Sequence, residues 1–414
     1  MKIDMRQFVF AGAVGIAAPA IQAQQFVQMG NVPGQASGLL HNAITDDGEV
    51  LGLSFSTKSD PTVWAPGIGY SFLPPYPATA ATIESASDNG ERLFGVIAVP
   101  GGGAPVMWSD RMAPPILLDG FPAGWTCNGI LCNFDGTVAI GSMSHTQTFQ
   151  SGVFIWRAGQ GMELITQFPS GFAAVGLGNP SDDGKVAFGG GRNASASSFQ
   201  AVRWVEGKGI IVLGCPPGAP LDCALGGTSW DGNTSARDAK PIGGGERQPV
   251  YWNLHKGWTY LGTLPGHSAG GSGLFSDPWV VAGATFIVPG NVDQTAFLWN
   301  PLDGMRPVKE ILEQDYGLNV GGWDLFSINA MSRNGRYLSG LGFNLQGQSQ
   351  GWWAEIVPFC YADCDRDKQL TFFDFLCYIN HFDQEDIYSN CNNDGAVDFF
   401  DFLCFINKWQ EGCP

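Results

Sequence analysis

The hydrophobic pattern of residues 24–356 consists of short apolar stretches, each of strand length, separated by turns that are rich in glycine. One unit contains four such stretches in a row: CNGILCNF, TVAIGSM, SGVFIW and MELITQF. Four short strands in a unit of about 45 residues are typical of one blade of a β-propeller. Because the stretches lack a helical period, a solenoid of helices is excluded.

Two landmarks repeat with this unit. Tryptophan recurs at intervals of 44 to 54 residues, at Trp64, Trp108, Trp156, Trp204, Trp252, Trp299 and Trp353. A two-residue turn signal keeps the same period, at Asp47-Gly48, Asn89-Gly90, Asp135-Gly136, Asp183-Gly184, Asp231-Gly232, the degenerate copy Asp277-Pro278 and Asn334-Gly335. Asn-Gly and Asp-Gly favour tight hairpins, since these residues tolerate positive φ. The seven copies predict a mainly β protein whose larger part is a seven-bladed β-propeller.

The two ends of the repeat region complement each other. The sequence FVQMGNVPG at residues 26–34 matches the fourth stretch of a unit, as in YLGTLPG at residues 260–266. The last unit has the tryptophan stretch QGWWAEI at residues 350–356 but no fourth stretch after it. We therefore expect the first strand to complete the last blade, which would close the ring and remove two open sheet edges.

The repeat units resemble the HAF repeats of secreted, β-propeller-like bacterial proteins. The resemblance rests on AFLWNPLDGM at residues 296–305 and on WDLFSINAMSRNGRYLSG at residues 323–340. With weaker copies upstream, it covers roughly residues 26–356, and the propeller is assigned to residues 24–356. The family implies a fold more than an activity.

Composition narrows the range of partners. Only 14% of the residues are charged, and the net charge of −17 argues against nucleic acid as a partner.

The adjacent aspartates Asp46-Asp47 and Asp182-Asp183 resemble the paired carboxylates of acid–base catalysis. They recur at the turn, however, where aspartate is favoured by local hydrogen bonds, so turn chemistry is the preferred interpretation.

Residues 1–23 have the features of a secretory signal peptide. Lys2 and Arg6 provide the positive end, and an apolar run from Phe8 to Ile21 follows. Cleavage is expected after Ala23, with Ala20 as a second candidate. A buried N-terminal helix is the alternative. No other run of this length is free of charged and turn residues, so we expect a secreted protein without a transmembrane segment, extracellular, periplasmic or at the cell surface.

Residues 358–414 contain one unit twice, with an offset of 27 residues. In each copy, side-chain oxygens fall at positions 1, 3, 5, 9 and 12 of a twelve-residue loop, and position 7 offers its backbone carbonyl, which is the spacing of the EF-hand loop. The candidate ligands are Asp363, Asp365, Asp367, Gln369, Thr371 and Asp374, and then Asn390, Asn392, Asp394, Ala396, Asp398 and Asp401. Each loop opens a short apolar helix. The pattern predicts a small helical domain that binds about two Ca²⁺ ions.

The paired loops resemble the dockerin domain, in which two Ca²⁺ loops and their helices pack antiparallel, and most of all a cysteine-rich variant with the motif FDFLCF. The family implies that loop positions 10 and 11 and helix positions 17 and 18 contact a cohesin partner. These positions hold Phe372, Phe373, Ile379, Asn380, Phe399, Phe400, Ile406 and Asn407. Two Phe-Phe pairs form an unusually apolar face, so the partner is expected to be cohesin-like or another exported protein. Alternatively, half of these rings fill a small core.

Loop position 6 departs from the family in the first copy. A glycine usually makes the sharp bend there, and the second copy has Gly395, whereas the first has Lys368. Lys368 must therefore adopt a positive φ or distort its loop. The absence of glycine favours a lower affinity for the ion in the first loop. The first loop has four carboxylates and the second has three, which favours a higher affinity in the first. The two sites are therefore not ranked by affinity.

Ten cysteines suggest disulfides in an exported protein. The six cysteines of the tail allow fifteen disulfide connectivities. The register of the two tail units favours the one with the pairs Cys364–Cys377, Cys391–Cys404 and Cys360–Cys413. Two close couples upstream either close small loops or remain free buried thiols: Cys127 with Cys132, and Cys215 with Cys223.

These features favour a secreted, non-enzymatic binding or scaffold protein. The propeller would bind a glycan or a protein, and the tail would attach the chain to another exported protein in a calcium-dependent way. A carbohydrate-active enzyme, either a glycoside hydrolase or a lyase, is the rival interpretation, because dockerins often carry hydrolases. A structural component of the envelope or matrix is the third.

Overall fold

Seven four-stranded sheets, all antiparallel, build the larger part of the computed structural model of the chain, which confirms the predicted seven-bladed propeller. The structure describes residues 24–33, 39–55, 59–74, 80–195, 198–219, 222–241, 245–275, 280–287 and 292–413. The expected signal peptide, residues 1–23, lies outside the described residues.

Strand β1 (Gln25–Gly30) precedes the first blade. The first three blades comprise β2–β5 (Leu39–Ile44, Val50–Phe55, Ser59–Ala65, Gly69–Phe72), β6–β9 (Ala81–Ala86, Leu93–Val99, Gly102–Trp108, Ile116–Leu117) and β10–β13 (Trp125–Cys132, Val138–His145, Ser151–Arg157, Gly161–Ile165). The next three comprise β14–β17 (Phe172–Pro180, Val186–Asn193, Phe199–Val205, Gly209–Gly214), β18–β21 (Cys223–Thr228, Thr234–Ala239, Gln248–Asn253, Gly257–Tyr260) and β22–β25 (Ala269–Phe275, Val281–Ile287, Val292–Asn300, Gly304–Pro307).

A short helix, α1 (Val308–Glu310), continues into a π-helical turn (Ile311–Asp315) and leads to the seventh blade. That blade contains β26 (Asp324–Met331), β27 (Tyr337–Phe343) and β28 (Ser349–Glu355), and its fourth strand is β1. Strand β1 lies antiparallel to β28, with Val27 opposite Trp353. The first strand therefore completes the last blade and closes the ring, as the sequence predicted.

The repeated tryptophans and turns have the structural roles expected of them. All seven tryptophans lie on the third strand of a blade and are at most 8% exposed. In the turn between the first and second strands, a hydroxyl donates to the aspartate or asparagine, as Ser181 does to Asp183 Oδ1 at 2.7 Å. The next residue, Gly184, has a φ of 67°. This local geometry explains why Asp-Gly and Asn-Gly recur at these positions.

Glycine-rich inner strands allow neighbouring blades to approach closely. At Gly178 of β14, a Cβ atom would lie 1.9 Å from the carbonyl oxygen of Gly226 on β18, so no side chain fits between these two strands. The first strands of the blades contact one another around a central channel with a volume of about 750 Å³. The channel mouth is one of the two candidate sites described below.

The tail contains two helices, α2 (Phe372–Gln384) and α3 (Phe399–Glu411), with 13 residues each. They pack through the fully buried rings of Tyr378 and Phe405, which stack with their centroids 4.0 Å apart. Among the described residues, no helix is long and apolar enough to cross a membrane.

Four disulfides are present: Cys215–Cys223, Cys360–Cys413, Cys364–Cys377 and Cys391–Cys404. The three in the tail are the pairs that its register favours. Cys364–Cys377 and Cys391–Cys404 each span 13 residues and tie a loop to its own helix. Because the core of so small a domain contributes little stability, these bonds matter to its folding.

The remaining close couple, Cys127 and Cys132, is free and buried, so the disulfide interpretation is wrong for it. Both residues lie on β10, and a strand rises about 3.3 Å per residue. They are five positions apart in the sequence, so their Cα atoms are about 16 Å apart, beyond the limit of about 7 Å for a disulfide. Burial raises the pKa of both thiols to about 12, which makes them unreactive.

Candidate functional site

The first tail loop brings three carboxylates together. Oxygen atoms of Asp363, Asp365 and Asp374 lie within 4.8 Å of one another. Asp363 is only 6% exposed and Asp374 is fully buried. Asp374 also holds the loop closed, because its Oδ2 accepts a hydrogen bond from the amide of Thr371 at 2.7 Å and its Oδ1 accepts one from the amide of Asp365 at 3.3 Å. Like charges at such short range favour a neutralising cation.

One buried oxygen of this loop has no partner among the described residues. Asp363 Oδ2 accepts a hydrogen bond from the amide of Lys368 at 3.1 Å, whereas Asp363 Oδ1 is shielded from solvent and accepts none. Burial raises the pKa of Asp363, and the neighbouring Asp374 carboxylate raises it further. A buried, unsatisfied oxygen among other carboxylates fits a hard cation, so this cluster could hold a metal ion.

The second loop repeats the hydrogen bonds of the first. Asp401 accepts from the amides of Asp398 at 2.9 Å and Asn392 at 3.1 Å, and Asn390 Oδ1 accepts from the amide of Gly395 at 3.2 Å. Burial raises the pKa of Asp401. Within the described part of the chain, the carboxylates of this loop do not form a cluster as compact as that of the first, because position 1 is the amide Asn390.

Three further pairs of predicted ligands have equivalent places in the two loops. Asp367 Oδ1 accepts a hydrogen bond from the amide of Gln369 at 2.8 Å, and Asp394 Oδ1 accepts one from the amide of Ala396 at 3.0 Å. At position 9, Thr371 and Asp398 cap helices α2 and α3 with their side chains. Asp367 is not part of the compact cluster of three carboxylates.

Position 6 has a left-handed backbone in both loops. The φ angle is 67° at Lys368 and 86° at Gly395. Of the two alternatives for Lys368, the structure adopts the positive φ. The loop keeps its shape, since the amide of Lys368 hydrogen-bonds position 1 as the amide of Gly395 does in the second loop.

An exposed apolar surface, here called the aromatic face, comprises Phe372, Phe373, Leu376, Phe399, Phe400 and Leu403. Its four phenylalanines are 55–68% exposed, so the alternative in which half of these rings fill the core does not apply. Phe375 and Phe402 connect the α2 and α3 halves of this face, with their ring centroids 6.0 Å apart. Phe372 stacks on Phe375, and Phe399 stacks on Phe402. The other expected contact positions differ from these rings. Ile379 and Ile406 pack against the tail core, whereas Asn380 and Asn407 are exposed.

A second candidate site surrounds one mouth of the central channel. In five blades, the residue that precedes the turn pair lines the channel; these mouth residues are Asp88, Phe134, Asp182, Trp230 and Arg333. Asp46 of the first blade lies beside them, and its amide donates a hydrogen bond to the carbonyl oxygen of Asp88 at 2.7 Å. The equivalent residue of the sixth blade, Ser276, lies outside the described residues.

Arg333 bridges opposite sides of the mouth. Its guanidinium donates to the carboxylate of Asp182 in the fourth blade and lies 3.5 Å from Asp88 Oδ2 in the second. The guanidinium carbon lies 4.8 Å from the ring centroid of Phe134 and 5.9 Å from that of Trp230. One cation is therefore held by two carboxylates and two aromatic rings.

Carboxylates outnumber the cation at this mouth. Burial raises the pKa of Asp88 to about 7, with a further contribution from Asp46, although Arg333 acts in the opposite direction. Burial also raises the pKa of Asp46 and Asp182. A carboxyl group that titrates near neutrality beside a cavity is suited to ligand binding or proton transfer.

The turn interpretation of the paired aspartates is correct for one member of each pair only. In Asp182-Asp183, Asp183 accepts the turn hydrogen bond from Ser181, whereas Asp182 faces the mouth. Sequence reasoning also missed Arg333 and the two mouth aromatics. The spacing of the sequence could have revealed them. Each of these residues directly precedes a turn pair, and the turn pairs repeat once per blade, so the residues are arranged around the mouth of the propeller.

Asp88→Asn is expected to reduce the pH dependence of stability. A carboxyl group whose pKa is raised by folding stabilises the protein below its unfolded pKa of 3.8, and this contribution is lost as the pH rises through about 7. The free energy of unfolding of the wild type should therefore fall more than that of Asp88→Asn between about pH 5 and about pH 8. Urea unfolding in saturating Ca²⁺ measures this, with the exposed Asp324→Asn as the control. Identical pH profiles for Asp88→Asn and Asp324→Asn would contradict the assignment.

No protein-family model and no curated protein matches the chain. Among solved structures, it is similar to the β-propeller domain of the Trilobed protease from Pyrococcus furiosus, which has an open velcro topology, with 9% identity over 77% of this chain and 93% of that chain and a TM-score of 0.54. Oligogalacturonate lyase from Vibrio parahaemolyticus is 11% identical over 81% of this chain and 97% of that chain, with a TM-score of 0.50. TolB from Acinetobacter baumannii is 14% identical, with a TM-score of 0.38, and the match spans 53% of this chain and about half, 52%, of TolB. At such identities the likeness shows the propeller fold alone.

Proposed function

We propose that the chain is an exported, non-enzymatic binding protein whose propeller carries a ligand site and whose dockerin-like tail attaches it to a partner in a calcium-dependent way. The observation that carries this proposal is the doubled loop, in which equivalent oxygens make equivalent hydrogen bonds. Four disulfides support an oxidising compartment outside the cytosol.

Calcium suits these loops better than a softer metal does. The predicted ligands are carboxylate, amide and carbonyl oxygens, and Ca²⁺ takes six to eight oxygen ligands. A nearby group of Cys364, Cys377 and His381 does not compete for a soft metal, because the two cysteines form a disulfide. Bound Ca²⁺ would neutralise the clustered carboxylates, and Asp363 Oδ1 would gain the partner that it lacks.

The aromatic face is the proposed contact with the partner. Large exposed apolar patches mark interaction sites, and aromatic anchors dominate the energetics of protein interfaces. The resemblance to dockerins implies partner contact at the same loop positions. The partner is therefore a cohesin-like or another exported protein with an apolar groove.

Replacing Phe372 and Phe399 by serine is expected to weaken partner binding by about thirtyfold or more for each ring, since a buried aromatic anchor contributes about 2 kcal/mol or more. The full chain, immobilised in Ca²⁺, is used to capture exported proteins from culture medium. The affinity of the purified partner is then measured for the wild type and the double variant, with Ca²⁺ and with chelator. Phe149→Ser is the matched control, because Phe149 is 81% exposed on the propeller. A partner that binds the double variant and the control equally, or that ignores chelation, would exclude this attachment.

The mouth residues are the proposed ligand site of the propeller. Phe134 and Trp230 are 38% and 42% exposed and can stack on a sugar ring or an apolar side chain. Asp88, Asp182 and Arg333 add hydrogen-bonding groups beside them. An apolar surface with a few convergent polar groups is typical of a ligand site, here for a glycan or a protein segment.

One observation favours a catalytic alternative. Asp88 has a pKa of about 7 and lies near the carboxylates of Asp46 and Asp182. Carboxyl groups with different pKa values serve as acid and base in glycoside hydrolysis. Arg333 occupies the space between two of these carboxylates, however, which favours binding over catalysis.

Incubation of the full chain with polysaccharides separates these functions. Turnover that is lost in Asp88→Asn would make the chain a carbohydrate-active enzyme. Binding without turnover supports the function proposed here. A chain that neither binds nor cleaves a polysaccharide, and captures no protein, would instead be a structural component of the envelope or matrix.

A further inference from the structure

The tail rests on the propeller through the same loops that are proposed to hold the ions. In an antiparallel blade, the turn between the third and fourth strands lies on the same face as the turn between the first and second. Two successive blades present such turns to the tail: the fifth-blade turn, residues 253–257, and the sixth-blade turn, residues 300–304. The second tail loop contacts the fifth-blade turn, and the first tail loop contacts the sixth-blade turn.

The second tail loop contacts the fifth blade through its positions 4 and 6. Asn253 Nδ2 donates a hydrogen bond to Asn393 Oδ1 at 2.7 Å, and both side chains are buried. Asn393 Nδ2 donates to Asp231 Oδ2 at 3.4 Å. At Gly395, a Cβ atom would lie 1.9 Å from the Cβ of His255, so no side chain fits at position 6.

The first tail loop contacts the propeller through the same two positions, one on the sixth-blade turn and one on the segment that follows the sixth blade. Arg366 at position 4 forms an ion pair with Asp303 in the sixth-blade turn. Lys368 at position 6 donates from Nζ to the carbonyl oxygen of Asp315 at 2.5 Å. Position 4 of each copy thus contacts the turn of one of two adjacent blades, and position 6 of each copy also lies against the propeller.

The two receiving turns share a feature that the other blades lack. In these blades the repeated tryptophan is followed by asparagine, Asn253 or Asn300, whereas the other five tryptophans are followed by alanine, serine, arginine or valine. Asn300 Oδ1 accepts hydrogen bonds from the amides of Leu302 and Asp303, both at 2.9 Å, and Asn253 does the same within its own turn. Two adjacent blades therefore carry matching turns for two matching loops.

Docking positions and ligand positions alternate along each loop. Positions 3 and 5 carry proposed ligands, whereas positions 4 and 6 contact the propeller and have a positive φ: 64° at Arg366, 67° at Lys368, 57° at Asn393 and 86° at Gly395. A left-handed conformation of a residue other than glycine is unfavourable unless its surroundings hold it in place. Ions on positions 3 and 5 would hold the backbone in the conformation that the docking residues need.

We propose that the ions, whose binding belongs to the function proposed above, also fix the tail to the propeller. With ions bound, position 4 of each loop engages the fifth-blade or the sixth-blade turn, and position 6 of each loop lies against the neighbouring propeller backbone. The aromatic face then has one orientation. When the ions leave, the docking contact is lost. Cys364–Cys377 and Cys391–Cys404 still tie each loop to its helix, so the tail separates from the propeller as a folded unit.

Hydrogen–deuterium exchange of the full chain tests this proposal. The readout is the amide exchange of the fifth-blade and sixth-blade turns, which belong to the propeller and contain no proposed ligand. Chelation of Ca²⁺ should accelerate exchange at both turns by about tenfold or more, because the contact that covers them is lost. The corresponding turn of the second blade, residues 109–113, should not respond.

A pair of variants separates docking from ion binding. Asp303→Asn removes the charge that pairs with Arg366 and leaves every proposed ligand in place. It should bind the same number of ions as the wild type, yet exchange faster at the sixth-blade turn even in Ca²⁺. Asp110→Asn is the matched control, because Asp110 accepts a hydrogen bond from Met112 in the second-blade turn. This control should behave as the wild type does.

The failure of this proposal is distinct from the failure of the proposed function. If calorimetry shows that ions bind and are removed, but both turns exchange at the same rate in either condition, the ions do not control docking and only this proposal is overturned. If the full chain binds no Ca²⁺, both are overturned. Equal exchange in Asp303→Asn and Asp110→Asn would overturn the docking role of Arg366.

Discussion

Alanine in place of Asp374 is expected to remove one bound Ca²⁺ ion, and alanine in place of Asp401 is expected to remove the other. Both residues occupy loop position 12 and are fully buried. Each carboxylate accepts two backbone hydrogen bonds that close its loop, at 2.7 and 3.3 Å for Asp374 and at 2.9 and 3.1 Å for Asp401. The substitution therefore removes a ligand and the acceptor of two part-buried amide hydrogen bonds, each of which contributes about 1 kcal/mol.

Isothermal titration of the full chain measures the effect. The wild type should bind about two ions, by analogy with paired loops, and each alanine variant about one. Asparagine at either position keeps one side-chain oxygen, so it should weaken binding without changing the number of ions. The thermal stability of the tail should follow the affinity, since an ion that binds only the folded form stabilises it.

Asp383→Ala is the control for these variants, because Asp383 is exposed on α2 and lies outside both loops. It should titrate as the wild type does. If Asp374→Ala and Asp401→Ala give the same titration as this control, the ions bind elsewhere. The doubled loops would then be only a means of capping two helices.

The propeller could be predicted from sequence because each blade is assembled from local hairpins. A turn such as Asp183-Gly184 fixes the first hairpin, and a buried tryptophan marks the third strand, so one repeat of the sequence specifies one blade. The closure of the ring was also predictable, since the last unit lacks a strand that Gln25–Gly30 supplies. The tail loops were visible for the same reason, because two copies of one pattern stand in register.

The channel mouth and the exposure of the aromatic face could not be predicted, because they depend on contacts between distant parts of the chain. Arg333 reaches Asp182, which lies 151 residues earlier, and the repeat marks both only as residues beside turns. An apolar helix also does not reveal which of its rings are covered. Phe372 and Phe399 are exposed because Tyr378 and Phe405 occupy the space between the helices.

Alanine in place of Trp353 is expected to lower the free energy of unfolding of the propeller by about 3–5 kcal/mol. The indole is 1% exposed and lies on β28, opposite Val27 of the closing strand β1. Its ring centroid is 5.8 Å from that of Trp64 in the first blade, and its Nε1 donates a hydrogen bond to the carbonyl oxygen of Gly48 at 2.9 Å. One side chain therefore links the closing strand, the seventh blade and the first blade, and its truncation leaves a cavity and an unpaired carbonyl.

Denaturant unfolding followed by circular dichroism measures this loss. Trp230→Ala is the matched control, because Trp230 is 42% exposed at the channel mouth, and its loss should cost about 1 kcal/mol or less. Trp353→Phe keeps most of the buried ring but not the Nε1 donor, so its stability should lie between the two. If Trp353→Ala is as stable as Trp230→Ala, the ring is closed by the backbone pairing of β1 with β28 alone, and the indole between the first and last blades contributes little to it.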